Sequence, residues 1–152
     1  MLPEFDYYRP SSLTEALELL DRLGPGARVL AGGTDLLVKM RGGLLRPRAL
    51  VDVSRLEELR YVRDGGEAVR IGAATTLTEV ERSGLVREHL PCLREAIREM
   101  ASWHVKNMAT IGGNLCNASP AADTAPPLMV YGARLRLVSL RGERVVPVED
   151  FF

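Results

Sequence analysis

The sequence is poor in residues that bind metals. It contains two cysteines, Cys92 and Cys116, and two histidines, His89 and His104. An iron–sulfur cluster held by a protein usually takes four thiolates, so this chain cannot hold one alone. The histidines are not spaced to form a zinc site with the cysteines. We therefore expect no metal site, and two reduced, unpaired thiols of the kind found in the cytoplasm.

Excess charge and long apolar runs are absent as well. The 152 residues include 20 basic and 20 acidic side chains, and the formal net charge is zero. Such a chain has no electrostatic reason to bind nucleic acid or an anionic membrane. No apolar run approaches the roughly 18 residues of a membrane-spanning helix, and Met1–Glu4 do not resemble a signal peptide. We expect a cytoplasmic protein that binds neither nucleic acid nor membrane.

Residues 1–54 have the pattern of a small α/β unit. Ser12 and Glu15 are spaced as a capping box at the start of the first helix, and Thr34 is predicted to cap the second. The order β-α-β-α-β favours parallel strands covered by helices. The predicted strands cover residues 5–8, 28–31 and 49–53, and the predicted helices cover residues 13–23 and 35–41.

Residues 55–152 have the pattern of a second unit, with antiparallel strands and helices. Thr76 is predicted to cap a helix, and the stretch from Trp103 to Asp123 is predicted to be irregular. The fold class expected for the whole chain is therefore α+β, with two subdomains that meet near residue 54. The predicted strands cover residues 61–64, 68–72, 134–138 and 144–148, and the predicted helices cover residues 77–82, 91–102 and 125–131.

Four Gly-Gly pairs occur in the chain. Gly42-Gly43 follows a predicted helix and is typical of a helix end. Gly65-Gly66 lies between two alternating segments and is typical of a hairpin turn. Neither of these two pairs requires a ligand. The other two pairs have a different setting.

The first glycine loop, Ala31-Gly32-Gly33-Thr34-Asp35, joins a buried strand to a helix. Successive backbone N–H groups in such a turn can surround an anion, and glycines let a phosphate approach the backbone. A tight strand-to-helix turn is an equally good interpretation of this loop alone. It is neither a G-x-G-x-x-G fingerprint nor a P-loop. Asp35 would repel a phosphate on the helix axis, so we expect it to point aside, toward a hydroxyl or its own cap.

The second glycine loop, Thr110-Ile111-Gly112-Gly113-Asn114, continues into small polar residues up to Asp123. Hydroxyl, amide and carboxylate groups with little bulk suit sugar hydroxyls and phosphate oxygens. The alternative is a loop that only caps its own backbone. Each of the two glycine loops is expected to bring bare backbone N–H groups against a negative charge, and together they predict a ligand with two phosphates, held from two sides.

Other candidate groups have simpler interpretations. His104, beside Trp103, is expected to be a packed surface residue rather than a general base. Cys116 is expected to be a small buried hydrophobe rather than a redox thiol. The basic residues Lys39, Arg41, Arg46 and Arg48 are expected to form a solvated face.

The two glycine loops, with Val105–Leu115 and Ser119–Asp123, resemble the FAD-binding medium subunit of molybdenum hydroxylases, the carbon monoxide dehydrogenase and xanthine dehydrogenase family. The opening Phe5–Pro10 and the ending Val146–Phe152 also fit, so the resemblance covers the whole chain. It implies a two-subdomain FAD-binding fold of the vanillyl-alcohol oxidase type, with FAD between the subdomains. The first loop would bind the pyrophosphate, and the second would bind from the other side. The cofactor-binding residues implied are Val29, Leu30, Ala31, Gly32, Gly33, Thr34, Asp35 and Leu36, together with Ala101, Thr110, Gly113, Asn114 and Asp123.

The family resemblance also implies partners and a reaction class. A large subunit would hold molybdopterin, and a small subunit would pass electrons from iron–sulfur clusters to FAD. The flavin would do the chemistry, so no catalytic side chain is expected here. Members of the family continue into a C-terminal domain, which we expect to be absent from this chain or carried by a separate one. Two alternatives stay open: a flavin-domain remnant that folds without FAD and serves assembly, and an unrelated enzyme that binds another phosphate compound.

Overall fold

The computed structural model describes residues 2–152, and its first part is built on a three-stranded parallel sheet. The middle strand, β3, pairs with β1 on one side and β2 on the other. This is the order of elements and the strand direction expected from the sequence. The elements are β1 (Asp6–Tyr8), α1 (Leu13–Leu23), β2 (Ala27–Leu30), α2 (Leu36–Arg41) and β3 (Ala49–Asp52).

Helix α1 covers the sheet with its apolar face. Ala16 and Leu19 pack in one buried cluster with Val51 of β3 and the following residues Val53 and Leu56. The Ser12 hydroxyl caps the helix by accepting from the backbone N–H of Glu15, as predicted. The second bond of a capping box, from the Ser12 backbone N–H to the Glu15 carboxylate, is replaced. The carboxylate accepts instead from the backbone N–H and the hydroxyl of Ser11.

The second part combines six helices with two antiparallel hairpins in the described chain. Thr76 caps α3 as predicted, and its side chain accepts from the Glu79 backbone N–H. The strands are β4 (Val62–Asp64), β5 (Val69–Ile71), β6 (Arg134–Ser139) and β7 (Gly142–Pro147). The helices are α3 (Leu77–Arg82), α4 (Gly84–His89), α5 (Pro91–Glu99), α6 (Trp103–Lys106), α7 (Ile111–Asn117) and α8 (Ala125–Val130).

A separate hydrophobic core holds these helices together. Leu77 and Val80 of α3, Val86 of α4, and Leu93 and Ile97 of α5 have no exposed surface. Each such side chain contributes about 1.5–3 kcal/mol relative to an exposed one. The helix face formed by Leu93 and Ile97 is the one that the apolar spacing predicts. The first cluster contains none of these residues, so each part of the chain has its own core.

The prediction of an irregular stretch from Trp103 to Asp123 was wrong. Two helices, α6 and α7, lie within it, and α4 was not predicted either. The side chains of Ser83, Ser102 and Thr110 cap these three helices by accepting from a backbone N–H. Helices this short show little periodicity, and a glycine pair disfavours helix by about 1 kcal/mol per residue. Their caps were therefore the only sequence signal.

The helix α2 also begins differently from the prediction. Asp35 rather than Thr34 occupies the capping position, and its side chain makes no capping hydrogen bond. The turn is closed instead by the backbone, because the Leu37 N–H donates to the Gly33 carbonyl at 3.0 Å. Both the Thr34 and the Asp35 side chains are consequently free of a capping role.

The capping box of α3 makes a prediction about pH. Burial raises the pKa of Glu79, but hydrogen bonds from Arg60 and Thr76 outweigh it, and the pKa lies below its ordinary value. A carboxylate with a lowered pKa stabilises the fold above its ordinary pKa, and this stability is lost as the pH falls through the folded value. We expect Glu79→Gln to lower the melting temperature at pH 7 by about 2 °C, since the Arg60 pair is partly exposed.

That difference between wild type and variant should shrink as the pH is lowered below about 4, where the unfolded carboxyl is protonated. Thermal unfolding followed by circular dichroism across this pH range measures it. Glu67→Gln, in the exposed turn between β4 and β5, is the control and should change nothing. A melting-temperature difference for Glu79→Gln that stays constant with pH would contradict the prediction.

Candidate functional site

The first glycine loop follows β2 and exposes unpaired backbone donors. Gly33 has a φ of +72°, a conformation that other residues rarely adopt. Within residues 2–152, the N–H groups of Gly32, Gly33 and Thr34 donate no hydrogen bond. All three residues are only partly exposed. Three successive free N–H groups around a bare backbone form a site suited to an anion.

The second glycine loop is the first turn of α7, and its N–H groups are already used. Gly112 donates to the Ala73 carbonyl at 2.9 Å, and Gly113 donates to the Thr110 hydroxyl oxygen at 3.1 Å. Asn114 donates to the Thr110 carbonyl at 2.9 Å. The expectation that both loops present free backbone donors was therefore wrong for this one. It offers instead the bare surface of Gly113 and the amide of Asn114, whose oxygen accepts from the Thr124 hydroxyl.

The two glycine loops lie against each other through the segment that leads into the second. A Cβ atom on Gly32 would overlap the carbonyl oxygen of Met108 and lie 2.9 Å from the Cα atom of Ala109. Only glycine allows this approach. Gly112 is needed for a similar reason, because its Cβ would be 2.7 Å from the Ala73 carbonyl oxygen. Loops distant in sequence thus form one continuous surface.

Side chains join the loops as well. Asp35 accepts a hydrogen bond from the side-chain amide of Asn117 at 3.0 Å, and Lys39 donates to the oxygen of that same amide. Asp35 was expected to point toward a hydroxyl or its own cap, and that was wrong, because its partner is the Asn117 amide of α7. Lys39 was predicted to lie on a solvated face, and that was wrong. Sequence reasoning missed Lys39 and Asn117 because only the fold brings them together.

Three of the remaining predicted residues lie outside the contact between the glycine loops. Val29 is 48% exposed at the end of β2. Asp123 is exposed before α8, and Ala101 is exposed after α5 with a φ of +50°. In the described part of the chain, neither Ala101 nor Asp123 forms a hydrogen bond with the glycine loops. The structure therefore brings the first loop and the start of α7 together, and leaves these two positions apart from that contact.

A buried ion pair supports the segment before the second loop. Lys106 of α6 is 6% exposed, and its ammonium lies 2.9 Å from the Glu81 carboxylate of α3. It also donates to the carbonyl of Arg98 in α5 at 3.2 Å. Three helices are thus linked two residues before Met108. No local pattern in the chain indicates that this lysine is buried.

Two further expectations concern the cysteines and the membrane. Cys116 is exposed rather than buried, although partial burial of its thiol raises the pKa. Among residues 2–152, there is no group of three or more metal-binding side chains. In the same residues, no helix is both long and apolar enough to span a bilayer.

Comparison with known proteins gives this surface a context. Residues 3–152 match the family described as the FAD binding domain in molybdopterin dehydrogenase. The chain belongs to this family. FAD is accordingly the cofactor to test against the geometry, and the family resemblance expected from the glycine loops is confirmed.

Similar proteins and structures lie in the same family. The xanthine dehydrogenase FAD-binding subunit of Escherichia coli O157:H7 is 40% identical, over 95% of this chain and 50% of that protein. The carbon monoxide dehydrogenase medium chain of Hydrogenophaga pseudoflava is 38% identical, over 99% of this chain and 52% of that protein. The solved carbon monoxide dehydrogenase of that organism superposes with a TM-score of 0.97 at 38% identity, covering 100% of this chain and 53% of that one. Quinoline 2-oxidoreductase from Pseudomonas putida 86 gives a TM-score of 0.95 at 29% identity, covering 100% and 55%. The chain spans about half the length of the curated relatives it matches.

The residues present fit the pyrophosphate of FAD. The free N–H groups of Gly32, Gly33 and Thr34 are donors without competing partners in the described residues. Asp35, the carboxylate of this loop, accepts a hydrogen bond from the Asn117 amide. An anion can therefore approach the backbone without meeting an unpaired negative charge.

Proposed function

We propose that this chain is the FAD-binding part of an electron-transfer subunit of a molybdenum-containing hydroxylase. The observation that supports it best is the set of free N–H groups at Gly32, Gly33 and Thr34, in a loop that lies against the segment leading into α7. A diphosphate needs donors on a bare backbone, and this loop supplies them. The second loop would then contribute the Asn114 amide and the open surface over Gly113 rather than N–H groups.

The proposed cofactor site includes all thirteen residues that the sequence indicated. Residues 29–36 would surround the pyrophosphate, while Thr110, Gly113 and Asn114 would face it from α7. Ala101 and Asp123 would contact more distant parts of the cofactor. We propose that the cofactor lies between a subdomain of residues 1–54 and one of residues 55–152, in a fold of the vanillyl-alcohol oxidase type. The separate hydrophobic cores of the two parts support this division.

The proposed reaction is electron transfer. When bound, FAD would supply the redox chemistry, taking electrons from iron–sulfur clusters on a small subunit and passing them to an acceptor. A molybdopterin-binding large subunit would oxidise the substrate. A C-terminal domain, on a separate chain or as a continuation of this one, would complete the subunit. We place this assembly in the cytoplasm, in keeping with two exposed cysteines that form no disulfide in the described residues.

The proposal is tested by a charge placed beside the free N–H groups. Thr34→Asp adds a carboxylate to the first loop, and Thr34→Asn has nearly the same shape without the charge. Titration of the FAD-free chain with FAD, followed by quenching of flavin fluorescence, measures the affinity. We expect binding by wild type, similar binding by Thr34→Asn, and binding weaker by about 100-fold or more in Thr34→Asp.

Three results would overturn the proposal or part of it. A folded chain that binds no FAD at about 1 mM would favour the alternative of a flavin-domain remnant that serves assembly. Stronger binding of a different phosphate compound, such as a sugar phosphate, would favour an unrelated enzyme. Equal affinities of the two Thr34 variants for FAD would show that the pyrophosphate does not bind at the first loop.

A further inference from the structure

A carboxylate beside a phosphate-binding loop needs an explanation. Asp35 immediately follows the three free N–H groups of the first glycine loop, where its charge would oppose that of a diphosphate. Its exposed side chain does not cap α2. Instead it accepts from the Asn117 amide at 3.0 Å, at the last residue of α7. The Asp35 carboxylate is therefore directed to the end of α7.

Asn117 is held from its other end as well. Its amide oxygen accepts from the ammonium of Lys39, which lies one helical turn beyond Asp35 in α2. The amide thus accepts from a cation and donates to an anion, and both of these come from the same short helix. Hydrogen bonds to charged groups are stronger than neutral ones. The Asp35–Asn117–Lys39 bridge consequently ties α2 to the end of α7.

A second contact fixes the other end of this junction. The backbone at Gly32 lies so close to Met108 that an added Cβ would overlap the Met108 carbonyl oxygen. The two glycine loops are therefore joined at two points, by the backbone before α7 and by the bridge at its end. Two points of contact restrict rotation of one loop against the other, which a single contact would allow.

We propose that Asn117, with Lys39, is a positioning residue for the cofactor: the bridge sets the spacing of the two glycine loops and turns the Asp35 carboxylate away from the pyrophosphate. This inference rests on the proposed function. A site whose two sides are joined before the ligand arrives loses less freedom on binding. The bridge residues need not touch the cofactor for their loss to weaken its binding.

The bridge can be tested by exchanging the carboxylate and the amide between positions 35 and 117. Asn117→Asp places two carboxylates against each other, so the bridge should break. Asp35→Asn added to it restores every hydrogen bond, because the new amide at position 35 can donate to the new carboxylate at position 117, while Lys39 still donates to that carboxylate.

The experiment measures FAD affinity by fluorescence quenching and, without FAD, hydrogen exchange of the amides of Leu37 and Lys39, which donate to the carbonyls of Gly33 and Asp35. We expect Asn117→Asp to weaken FAD binding by about tenfold or more and to speed exchange. The double variant Asp35→Asn/Asn117→Asp should return both to within about threefold of wild type. Lys39→Met should weaken binding, whereas Arg41→Met, an equal charge change on an exposed residue of the same helix, should not.

The outcomes separate the bridge from the proposed function. A wild-type chain that binds no FAD defeats the proposed function, while exchange still reports on the bridge. Unchanged affinity and exchange in Asn117→Asp, or a double variant no better than the single one, would overturn the positioning role. If Asn117→Asp fails to fold, Asn117→Ala replaces it, and near-wild-type affinity and exchange there would be equally decisive.

Discussion

Alanine at position 32 is expected to weaken FAD binding by this chain strongly. The added Cβ would overlap the Met108 carbonyl oxygen and lie 2.6 Å from its carbonyl carbon. Both are backbone atoms, so no side-chain rotation can relieve the overlap, and the loops must move apart. Overpacking of this kind costs about 1–3 kcal/mol. The same movement separates the two sides of the proposed site, and we expect FAD affinity to fall by about 100-fold or more.

Fluorescence titration with FAD and urea denaturation measure these two effects separately. Gly84→Ala is a matched control, because no atom lies within 4 Å of the added methyl group and Gly84 begins α4. We expect that variant to bind FAD as wild type does and to differ in stability by about 0.5 kcal/mol at most. Wild-type affinity in Gly32→Ala would mean that the contact between Gly32 and Met108 is not needed for the site.

The fate of the four glycine pairs indicates how far sequence reasoning reached. Composition and setting separated the pairs at 42 and 65 from those at 32 and 112, and the structure places the first two after a helix and in a hairpin turn. The structural reason for each glycine could not be predicted from the sequence, however. Gly33 needs its positive φ, whereas Gly32 and Gly112 need the absence of a Cβ against a distant backbone. A contact between residues far apart in the chain leaves no local pattern.

The second glycine loop shows the complementary limit. Thr110 followed by a glycine pair and an asparagine indicated a polar loop, yet the threonine caps a helix and uses the N–H groups that a ligand would need. The local signal of a cap was present and was outweighed by the low helix propensity of glycine. Tertiary contacts decided the outcome, since Ile111 and Gly112 donate to the carbonyls of Thr75 and Ala73.

Asp35 and Lys106 mark two kinds of charged residue whose roles depend on the fold. For Asp35, the conflict with an anion near the first loop predicted a side chain directed to a hydroxyl or to its own cap, and neither is its partner. Its partner Asn117 could not be predicted, because it belongs to a helix that the sequence did not indicate. For Lys106, no conflict was visible at all, although the side chain is almost fully buried.

Replacing Lys106 with methionine is expected to destabilise the fold by about 3–5 kcal/mol. The substitution keeps most of the volume and removes the charge. It leaves the Glu81 carboxylate, whose side chain is 16% exposed, without the cation 2.9 Å away. It also leaves the Arg98 carbonyl without its donor. An isolated buried charge is much more costly than a buried pair, so the loss should be large. Urea denaturation followed by circular dichroism measures it from the shift in midpoint at constant slope.

A double-mutant cycle distinguishes the loss of the pair from the loss of packing. Lys106→Met with Glu81→Leu removes both charges, and the double variant should be more stable than Lys106→Met alone, because no carboxylate is left unpaired. Arg136→Met is the matched surface control. It breaks a pair of 2.6 Å with Glu143, in which both side chains are more than half exposed, and should cost about 1 kcal/mol or less. A similar loss in Lys106→Met and Arg136→Met would show that burial does not govern the Lys106 pair. If burial makes the Lys106–Glu81 pair important for stability, the pair also fixes the backbone just before Met108. Because Met108 contacts Gly32, the spacing of the two glycine loops would then depend on the same pair.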